Sequence, residues 1–263
     1  MGWQVRGIIA RDGGHGRRLV MHFSKKQKFL GLALAFASAP SFANFHFMKI
    51  VEVFPGTAAS PDAQYIVLQM YVGGQTVLNN HVATVFNAAG TSIGTLTFTG
   101  NVANGVNQDK VLIATTQAQT FFGLSADLTM TAALPRAGGK LCFESVDCVA
   151  WGNYSGSPTG VGTPYSVATG LVSGQAAKRR LDISGLPLIL DDADDTNNSV
   201  NDFASGVPAP SNNARANGTI PANTCPNGII EGLEECDDNN ANNTDTCSND
   251  CTIVINLFND GFE

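Results

Sequence analysis

The sequence has 263 residues, of which 43% are hydrophobic and 14% are charged, and its formal net charge is −7. The excess of acid argues against nucleic acid as a partner, because carboxylates repel phosphate backbones. After residue 43, no stretch approaches the roughly 20 consecutive apolar residues that a membrane-spanning helix requires. We therefore expect no transmembrane segment in the processed chain.

The N-terminal residues 1–43 have the features of an export signal. Three lysines lie between residues 25 and 28, an apolar run covers residues 29–39, and small side chains precede a predicted cut after Ala43. This order predicts a signal peptide and a secreted or cell-surface protein. An N-terminal membrane anchor is the alternative. The residues before the second methionine, Met21, are polar and rich in arginine and glycine, so either methionine is a candidate start.

Charge is unevenly distributed along the chain that would remain after the cut. Without residues 1–43, the chain keeps 8 of its 15 basic and 21 of its 22 acidic residues, a formal charge of −13. Residues 44–190 carry seven charges of each sign, whereas residues 191–263 carry fourteen acids and one base, Arg215. The neutral part is large enough for a domain with its own core, and the natural counterparts of the acidic part are cations rather than nucleic acid.

The part of the chain between residues 45 and 155 is patterned for strands. One helix of one or two turns, QAQTFFG, is predicted to end at Gly123, and a hairpin is predicted to turn near residues 146 and 147. The predicted strands are HFMKIVEVF, AQYIVLQMYV, HVATVFNAAG, TSIGTLTFTG, DKVLIATT, GKLCFES and DCVAWGNY. About seven short strands with frequent turns predict an all-β antiparallel sandwich, with a barrel as the alternative.

The later part of the chain is expected to be less regular. Residues 156–180 are predicted to be a loop or linker, and residues 181–190, LDISGLPLIL, an edge segment, because Pro187 disfavours a central strand. Residues 191–224 are too polar to fold alone and are predicted to be an acidic linker. A cysteine-rich segment covers residues 225–251 and a short tail residues 252–263.

Export decides the chemistry of the six cysteines, because thiols persist as disulfides in an oxidising compartment. A tight hairpin would bring Cys142 and Cys148 together, a cross-link that contributes about 2 kcal/mol on the chain-entropy model; two buried thiols are the alternative. The other four cysteines allow three connectivities, and zinc ligation is the alternative to disulfides there. These four are Cys225, Cys236, Cys247 and Cys251.

The strand segments IVEVFPG, DAQYIVLQM, VLIATTQAQTFFG and DCVAWGNY resemble the lamin-tail-type domain of secreted bacterial proteins. That family places an arginine after its last strands, then a D-T-x-N-x-x-x-D-F segment and a Pro/Asn-rich end. Here Arg179 or Arg180, DTNNSVNDF at 195–203 and PAPSNN at 208–213 follow the same order. The resemblance implies an immunoglobulin-like antiparallel β-sandwich in residues 44–190, completed by residues 191–224. Polar residues of the family's second strand are replaced here, so no site is carried over from them.

CPNGIIEGLEECDDNN and TDTCSNDC resemble a cysteine-rich repeat of secreted myxobacterial proteins, also seen in pappalysin-type metalloproteinases. The usual form is C-G-N-G-x-x-E-x-x-E-x-C-D-D-G-N followed by G-D-G-C-x-x-x-C, and several of its glycines are replaced in this chain. The resemblance implies a small disulfide-rich C-terminal module in residues 225–251.

Two sets of side chains are candidate binding residues. The oxygen atoms of Asp237, Asp238, Asn240 and Asp245 suit calcium, which takes six to eight oxygen ligands. The alternative is a solvated acidic turn whose side chains cap backbone amides. Trp151 and Tyr154 are candidates for stacking on a sugar or a partner, and the alternative is core packing.

Motifs for catalysis are absent from the sequence. After residue 43 there are two histidines, His46 and His81, and neither lies beside a nucleophile motif. The carboxylates that could in principle supply a glycosidase pair are Glu52, Asp109, Asp127 and Glu144, and nothing singles out two of them.

These features predict a secreted, non-enzymatic binding or surface-interaction protein whose partner is an extracellular protein or glycan. A small secreted hydrolase, or the accessory subunit of a secreted nuclease or phosphatase, is the alternative, since lamin-tail domains often accompany such enzymes. A third hypothesis is a wall or matrix component anchored through the C-terminal LFNDGFE, which resembles a tag of exported proteobacterial proteins.

Overall fold

The computed structural model describes residues 45–131 and 133–254 and is mostly β. The predicted export signal and the LFNDGFE ending lie outside the described residues. In the described part, no helix is both long and apolar enough to cross a bilayer. The described residues belong to one compact unit.

Within residues 45–131 and 133–254, ten strands form two sheets. The strands are β1 (Met48–Phe54), β2 (Tyr65–Met70), β3 (Val82–Asn87), β4 (Ser92–Thr97), β5 (Lys110–Ala114), β6 (Leu128–Thr129), β7 (Gly138–Phe143), β8 (Asp147–Gly152), β9 (Ala176–Arg179) and β10 (Phe203–Gly206). Six strands form one sheet in the order β10-β9-β1-β2-β5-β6, and four form the other in the order β4-β3-β7-β8. Neighbouring strands are antiparallel except β5 and β6, which are parallel, so the sheets are not purely antiparallel as predicted.

The first hydrophobic core lies between the two sheets. Ile66 and Leu68 of β2 pack there with Val85 of β3 and with Leu141 and Trp151 of β7 and β8. Side chains alternate along a strand, so Tyr65 and the other out-of-phase residues of β2 point to the opposite face of the six-stranded sheet. The predicted sandwich arrangement of two β layers over a shared core is therefore present.

A second hydrophobic cluster covers the outer face of the six-stranded sheet. The helix α1 (Thr116–Phe122) begins after Thr115, whose side chain caps the Ala118 N–H, and ends at Gly123, whose φ of 60° is left-handed. Phe122 of α1 contacts the rings of Phe54 and Tyr65 at centroid distances of 5.5 and 5.3 Å. The short helix predicted from QAQTFFG is confirmed, and it explains why β1 and β2 are buried on both faces.

The prediction for residues 181–190 is wrong, because this segment is not a strand and Leu186 and Leu188 are exposed. The edge strand at this end of the six-stranded sheet is instead β10, and β9 lies between β10 and β1; both strands belong to segments predicted to be linkers. Between them come a 3-10 helix, Asp192–Asp194, and the helix α2, Ser199–Asp202. Residues 191–206 are therefore part of the sandwich, held by polar contacts that an apolar periodicity does not reveal.

Three disulfides are present, and no described cysteine is free. Cys142 and Cys148 are directly opposite each other on β7 and β8, so the cross-link predicted for the hairpin is formed. Among the remaining four, Cys225 pairs with Cys251 and Cys236 with Cys247. The second bridge is thus nested inside the loop that the first one closes.

Replacing both Cys142 and Cys148 by serine should lower the free energy of unfolding by about 2 kcal/mol, because the hairpin loop is then open in the unfolded chain. Urea denaturation followed by tryptophan fluorescence measures the change. The matched double variant at Cys236 and Cys247 opens a loop outside both sheets, so it should leave the main transition within about 0.5 kcal/mol. Equal effects from the two pairs would contradict this assignment.

Candidate functional site

A buried charge centre joins the two sheets to the segment before α2. It comprises Lys49 of β1, Asp147 of β8, Arg179 of β9 and Asp195. The side chains of Arg179 and Asp147 are 0% and 1% exposed, and Arg179 Nη2 donates to Asp147 Oδ2 at 2.6 Å. Lys49 Nζ donates to Asp195 Oδ2 at 2.7 Å, and Arg179 Nη1 lies 3.6 Å from Asp195 Oδ1. Both cations are therefore paired in a region with almost no water access, where Asp202 Oδ2 adds a third buried carboxylate 4.0 Å from Arg179 Nη1.

Each of the three nitrogens of the Arg179 guanidinium donates a hydrogen bond. Its Nε donates to the carbonyl of Ile50 at 2.8 Å and its Nη1 to the carbonyl of Asp194 at 3.1 Å. The ring of Phe203, the first residue of β10, lies 4.8 Å from its central carbon. A buried charge is tolerated only when it is paired and hydrogen-bonded, so Arg179 fixes the positions of the strands and turns that supply these partners.

Asp147 is the most desolvated carboxylate of the charge centre. Its Oδ2 accepts from the Ile50 N–H at 2.6 Å as well as from Arg179, while its buried Oδ1 has no hydrogen-bond partner among the described residues. Burial outweighs the attraction of Arg179 and raises the pKa of Asp147 to about 6. The sequence predicts this residue at the hairpin turn, as the first residue of the strand DCVAWGNY; it begins β8 with its side chain buried.

In the Lys49–Asp195 pair, hydrogen bonding and opposite charges outweigh the effect of burial, so both groups favour their charged forms. Burial opposes the charged form of Asp195, but the hydrogen bond from Lys49 and the charge of Arg179 hold its pKa below the ordinary value. Burial also opposes the charged form of Lys49, but the hydrogen bond to Asp195 and the nearby carboxylates raise its pKa. Both groups therefore stay charged at neutral pH.

The segment DTNNSVNDF is held by its own polar side chains. Asp202 accepts from the N–H and hydroxyl of Thr196, at 3.1 and 2.6 Å, and from the N–H of Asn198 at 3.1 Å. Ser199 Oγ accepts from the Ala150 N–H of β8 and donates to a loop carbonyl, both at 3.0 Å. The residues named by the sequence pattern thus turn the chain and attach it to the edge of the four-stranded sheet.

The carboxylates weighed for hydrolysis have structural partners. Glu52 Oε1 accepts from the Tyr65 hydroxyl at 2.6 Å and from the Ala209 N–H at 2.7 Å. Asp127 Oδ2 accepts two backbone N–H groups, one of them from residue 213. Asp109 binds the guanidinium of Arg215 through both of its oxygens, at 2.7 and 3.0 Å. These contacts bind residues 207–219 to the six-stranded sheet.

Glu144, the fourth of these carboxylates, contacts a histidine. Its Oε1 lies 3.1 Å from His81 Nδ1 and also accepts the Val82 N–H at 2.8 Å. The ring of Phe45 covers His81 at a centroid distance of 3.5 Å. The pair is partly exposed, and its contacts attach the turn between β7 and β8 to the start of β3.

The binding role predicted for Trp151 and Tyr154 needs correction, because both rings are buried. Trp151 is 0% exposed and its Nε1 donates to the carbonyl of Pro135 at 2.7 Å. Tyr154 is 8% exposed and packs with Ala150 and Val161. Neither ring has a free face for a sugar or a partner, so both contribute to packing.

The four residues predicted to bind calcium all accept hydrogen bonds from nearby backbone N–H groups. Asp238, Asn240 and Asp245 each cap the amide two residues ahead, at 3.2, 2.8 and 3.3 Å. Asp237 accepts from the N–H groups of residues 227, 228 and 239, which hold its pKa below the ordinary value.

Among the described residues, the three aspartates of this set do not gather into one ligand cluster. The cluster that includes Asp237 is completed by Cys225 and Cys251. Because those two sulfurs are bonded to each other, neither is a thiolate ligand. The side chains therefore take up the capping arrangement that was the alternative to calcium, and their binding of calcium stays a prediction.

A groove of about 410 Å³ lies where the cysteine-rich segment meets the β10 edge of the six-stranded sheet. Its floor includes the end of β10, the edge strand, and residues just before β9. The lining includes Ser173, Gln175, Ser205, Val207, Leu233 and Glu235. Val207 is 65% exposed, so the groove presents an apolar side chain beside an acidic one.

The chain matches no protein-family model, no curated protein and no solved structure. The contacts described above therefore carry the functional argument. The groove and the buried charge centre were not found by sequence analysis, because their residues are far apart in the chain and belong to segments without a periodic pattern.

Replacing Arg179 by leucine should destabilise the protein by about 3–5 kcal/mol, because Asp147 and Asp195 would lose a buried counter-charge. The neighbouring Arg180 is a matched control, since its side chain is 45% exposed and pairs with the exposed Asp182. Replacing Arg180 by leucine should change the stability by no more than about 0.5 kcal/mol. Denaturation midpoints compare the two variants, and similar losses would contradict the role of Arg179.

The raised pKa of Asp147 predicts a pH-dependent stability. Protonated Asp147 contributes to the free energy of unfolding. This contribution is fully present below the ordinary pKa of 3.8 and is lost as the pH rises through about 6. The loss is of the order of 3 kcal/mol by linkage. Asp147→Asn should abolish this part of the profile, which melting temperatures between pH 3.5 and pH 7 would measure. An unchanged difference between wild type and variant across that range would refute it.

Proposed function

We propose that this protein is an exported, non-enzymatic binding protein that acts outside the cytoplasm. The observation that supports export is the pairing of all six cysteines into three disulfides, since such cross-links persist in oxidising compartments. The predicted signal peptide in residues 1–43 supports the same location.

We also propose kinship with lamin-tail-type domains of the immunoglobulin-like class. Support comes from the order of motifs in the sequence and from what those motifs contact. Arg179 is the buried member of the arginine pair, and Asp195 and Phe203, the first and last residues of DTNNSVNDF, contact it. Residues that the sequence pattern names separately thus contact one another in the structure.

The groove between the cysteine-rich segment and β10 is the surface that we propose for binding. An edge strand has one side of its backbone unpaired within its sheet, and such edges accept an extended peptide as an additional strand. Val207 offers an apolar contact and Glu235 a negative charge beside it. Residues 191–263 carry fourteen acids against one base, so the occupant that fits is an extended, basic segment of an extracellular protein.

The alternative function is that of a small secreted hydrolase or an accessory subunit of one. The His81–Glu144 pair is the observation that favours it, because a histidine beside a carboxylate can act as a general base. Against it, Glu144 Oε1 already accepts the Val82 N–H, which assigns the pair to the hairpin turn.

The groove is tested with decapeptide libraries of basic, neutral and acidic composition, alongside a glycan array. Basic peptides should bind best, and Val207→Lys should weaken that binding at least tenfold by adding a like charge. Val167→Lys is the matched control, because Val167 is similarly exposed but lies outside the groove lining. Binding of glycans alone, or equal losses in both variants, would overturn the peptide proposal.

A further inference from the structure

Strand β4 is a free edge of the four-stranded sheet. The sheet order β4-β3-β7-β8 leaves one side of β4 without a neighbouring strand among the described residues. In an antiparallel strand, the N–H and C=O of one residue point to the same side, and successive residues alternate. The Phe98 N–H, just after β4, donates to the His81 carbonyl at 2.9 Å, and its carbonyl accepts from the Asn80 N–H at 2.8 Å. Phe98 therefore faces β3, and the backbone groups of Thr97 and Thr95 face away from it.

This edge lacks the features with which proteins protect the edges of their sheets. Residues 91–100, TSIGTLTFTG, contain no charged residue and no proline, and Ile93 is 48% exposed. The one register shift between β3 and β4 comes before Thr95, so residues 95–97 pair regularly with β3. Uncharged, exposed edges of this kind accept another strand.

The other edge strands of the described sheets differ from β4. Strand β6 has only two residues, and β10 lies in the groove beside Glu235. Strand β8 is covered, because Trp151 bridges to Tyr165 and the Ala150 N–H donates to Ser199. Within the part of the chain that the structure describes, β4 thus combines length, exposure and lack of charge.

We propose that the protein forms a symmetric dimer in which β4 pairs antiparallel with β4 of a second copy. A two-fold axis at Leu96 brings Thr95 opposite Thr97 of the partner subunit, so the outward N–H and C=O groups of both residues are paired. The same surface then serves both copies, as a two-fold contact requires. Cross-strand threonine pairs are favourable. Leu96, which is 2% exposed at the rim of the first core, meets its own copy.

Charge favours a second copy over the basic segment that we propose for the groove. Strand β4 has no acid to attract a basic segment, and two uncharged strands bring no like charges into direct contact. The whole chain has a formal net charge of −7, so two copies repel each other at long range. Salt screens this repulsion and should strengthen the dimer, whereas it should weaken the binding of a basic peptide. No residue of β4 lines the groove, so the dimer does not depend on it.

Sedimentation velocity of the purified exported protein measures the association. The contact involves one short strand from each copy, so we expect a weak, reversible dimer with a Kd in the micromolar range. The Kd should fall as sodium chloride is added. In hydrogen exchange of the wild type, the amides of Thr95 and Thr97 should become more protected as the protein concentration rises, and those of β10 should not.

Charged variants test the β4 contact and its register. Thr95→Lys combined with Thr97→Lys should raise the Kd at least about tenfold, and so should Thr95→Glu combined with Thr97→Glu, because like charges then face each other. An equimolar mixture of these two double variants should associate again, because residue 95 of one copy faces residue 97 of the other. Thr116→Lys combined with Thr120→Lys is the matched control on the exposed side of α1 and should dimerise as the wild type does.

Several results would overturn the dimer without affecting the peptide groove. They are a wild-type protein that stays monomeric up to near-millimolar concentration, a dimer that weakens with added salt, and a dimer that persists in the double lysine variant. A mixture of the two charged variants that stays monomeric would also overturn it. If the variants fail to fold, protection of the Thr95 and Thr97 amides that does not change with concentration would refute the contact in the wild type.

Discussion

The guanidinium of Arg179 imposes the strongest constraint on this fold. A fully buried cation needs a complete set of partners, and here they come from β1, β8, the 3-10 helix and the segment before α2. All of these pieces must be in position before Arg179 can leave water. The cost of leaving it unpaired, rather than apolar burial, explains why a stretch as polar as residues 191–202 has a defined place.

The uneven charge of the sequence also follows from this arrangement. The acidic residues after position 190 look like an unbalanced tail, yet Asp195 neutralises cations of the neutral half. In return Arg215, the one base of residues 191–263, binds Asp109 of the neutral half. Charges that are far apart in the sequence therefore form ion pairs between segments in the structure. The remaining acids lie mainly in the cysteine-rich segment.

Sequence analysis succeeded where structure is decided locally. Strands β1–β5 have β-type patterns, α1 has a threonine cap and a glycine end, and the Cys142–Cys148 bridge needs only a tight hairpin. It failed for β9 and β10, which are four-residue strands at one end of the six-stranded sheet without a regular alternation of apolar and polar residues. Trp151 was ambiguous because an aromatic residue on a strand suits a core as well as a surface. The pairing of four cysteines, like the inward orientation of Asp147, depends on contacts between distant residues.

The nested bridges of the cysteine-rich segment have a consequence for its durability. The outer bridge joins residues 26 positions apart and the inner one residues 11 positions apart. A single proteolytic cut anywhere between Cys225 and Cys251 would therefore release no fragment, because both new ends remain covalently tethered. Such a segment stays in one piece after a single cleavage in a protease-rich environment. Its loop sequences can change while the two bridges keep their ends in place.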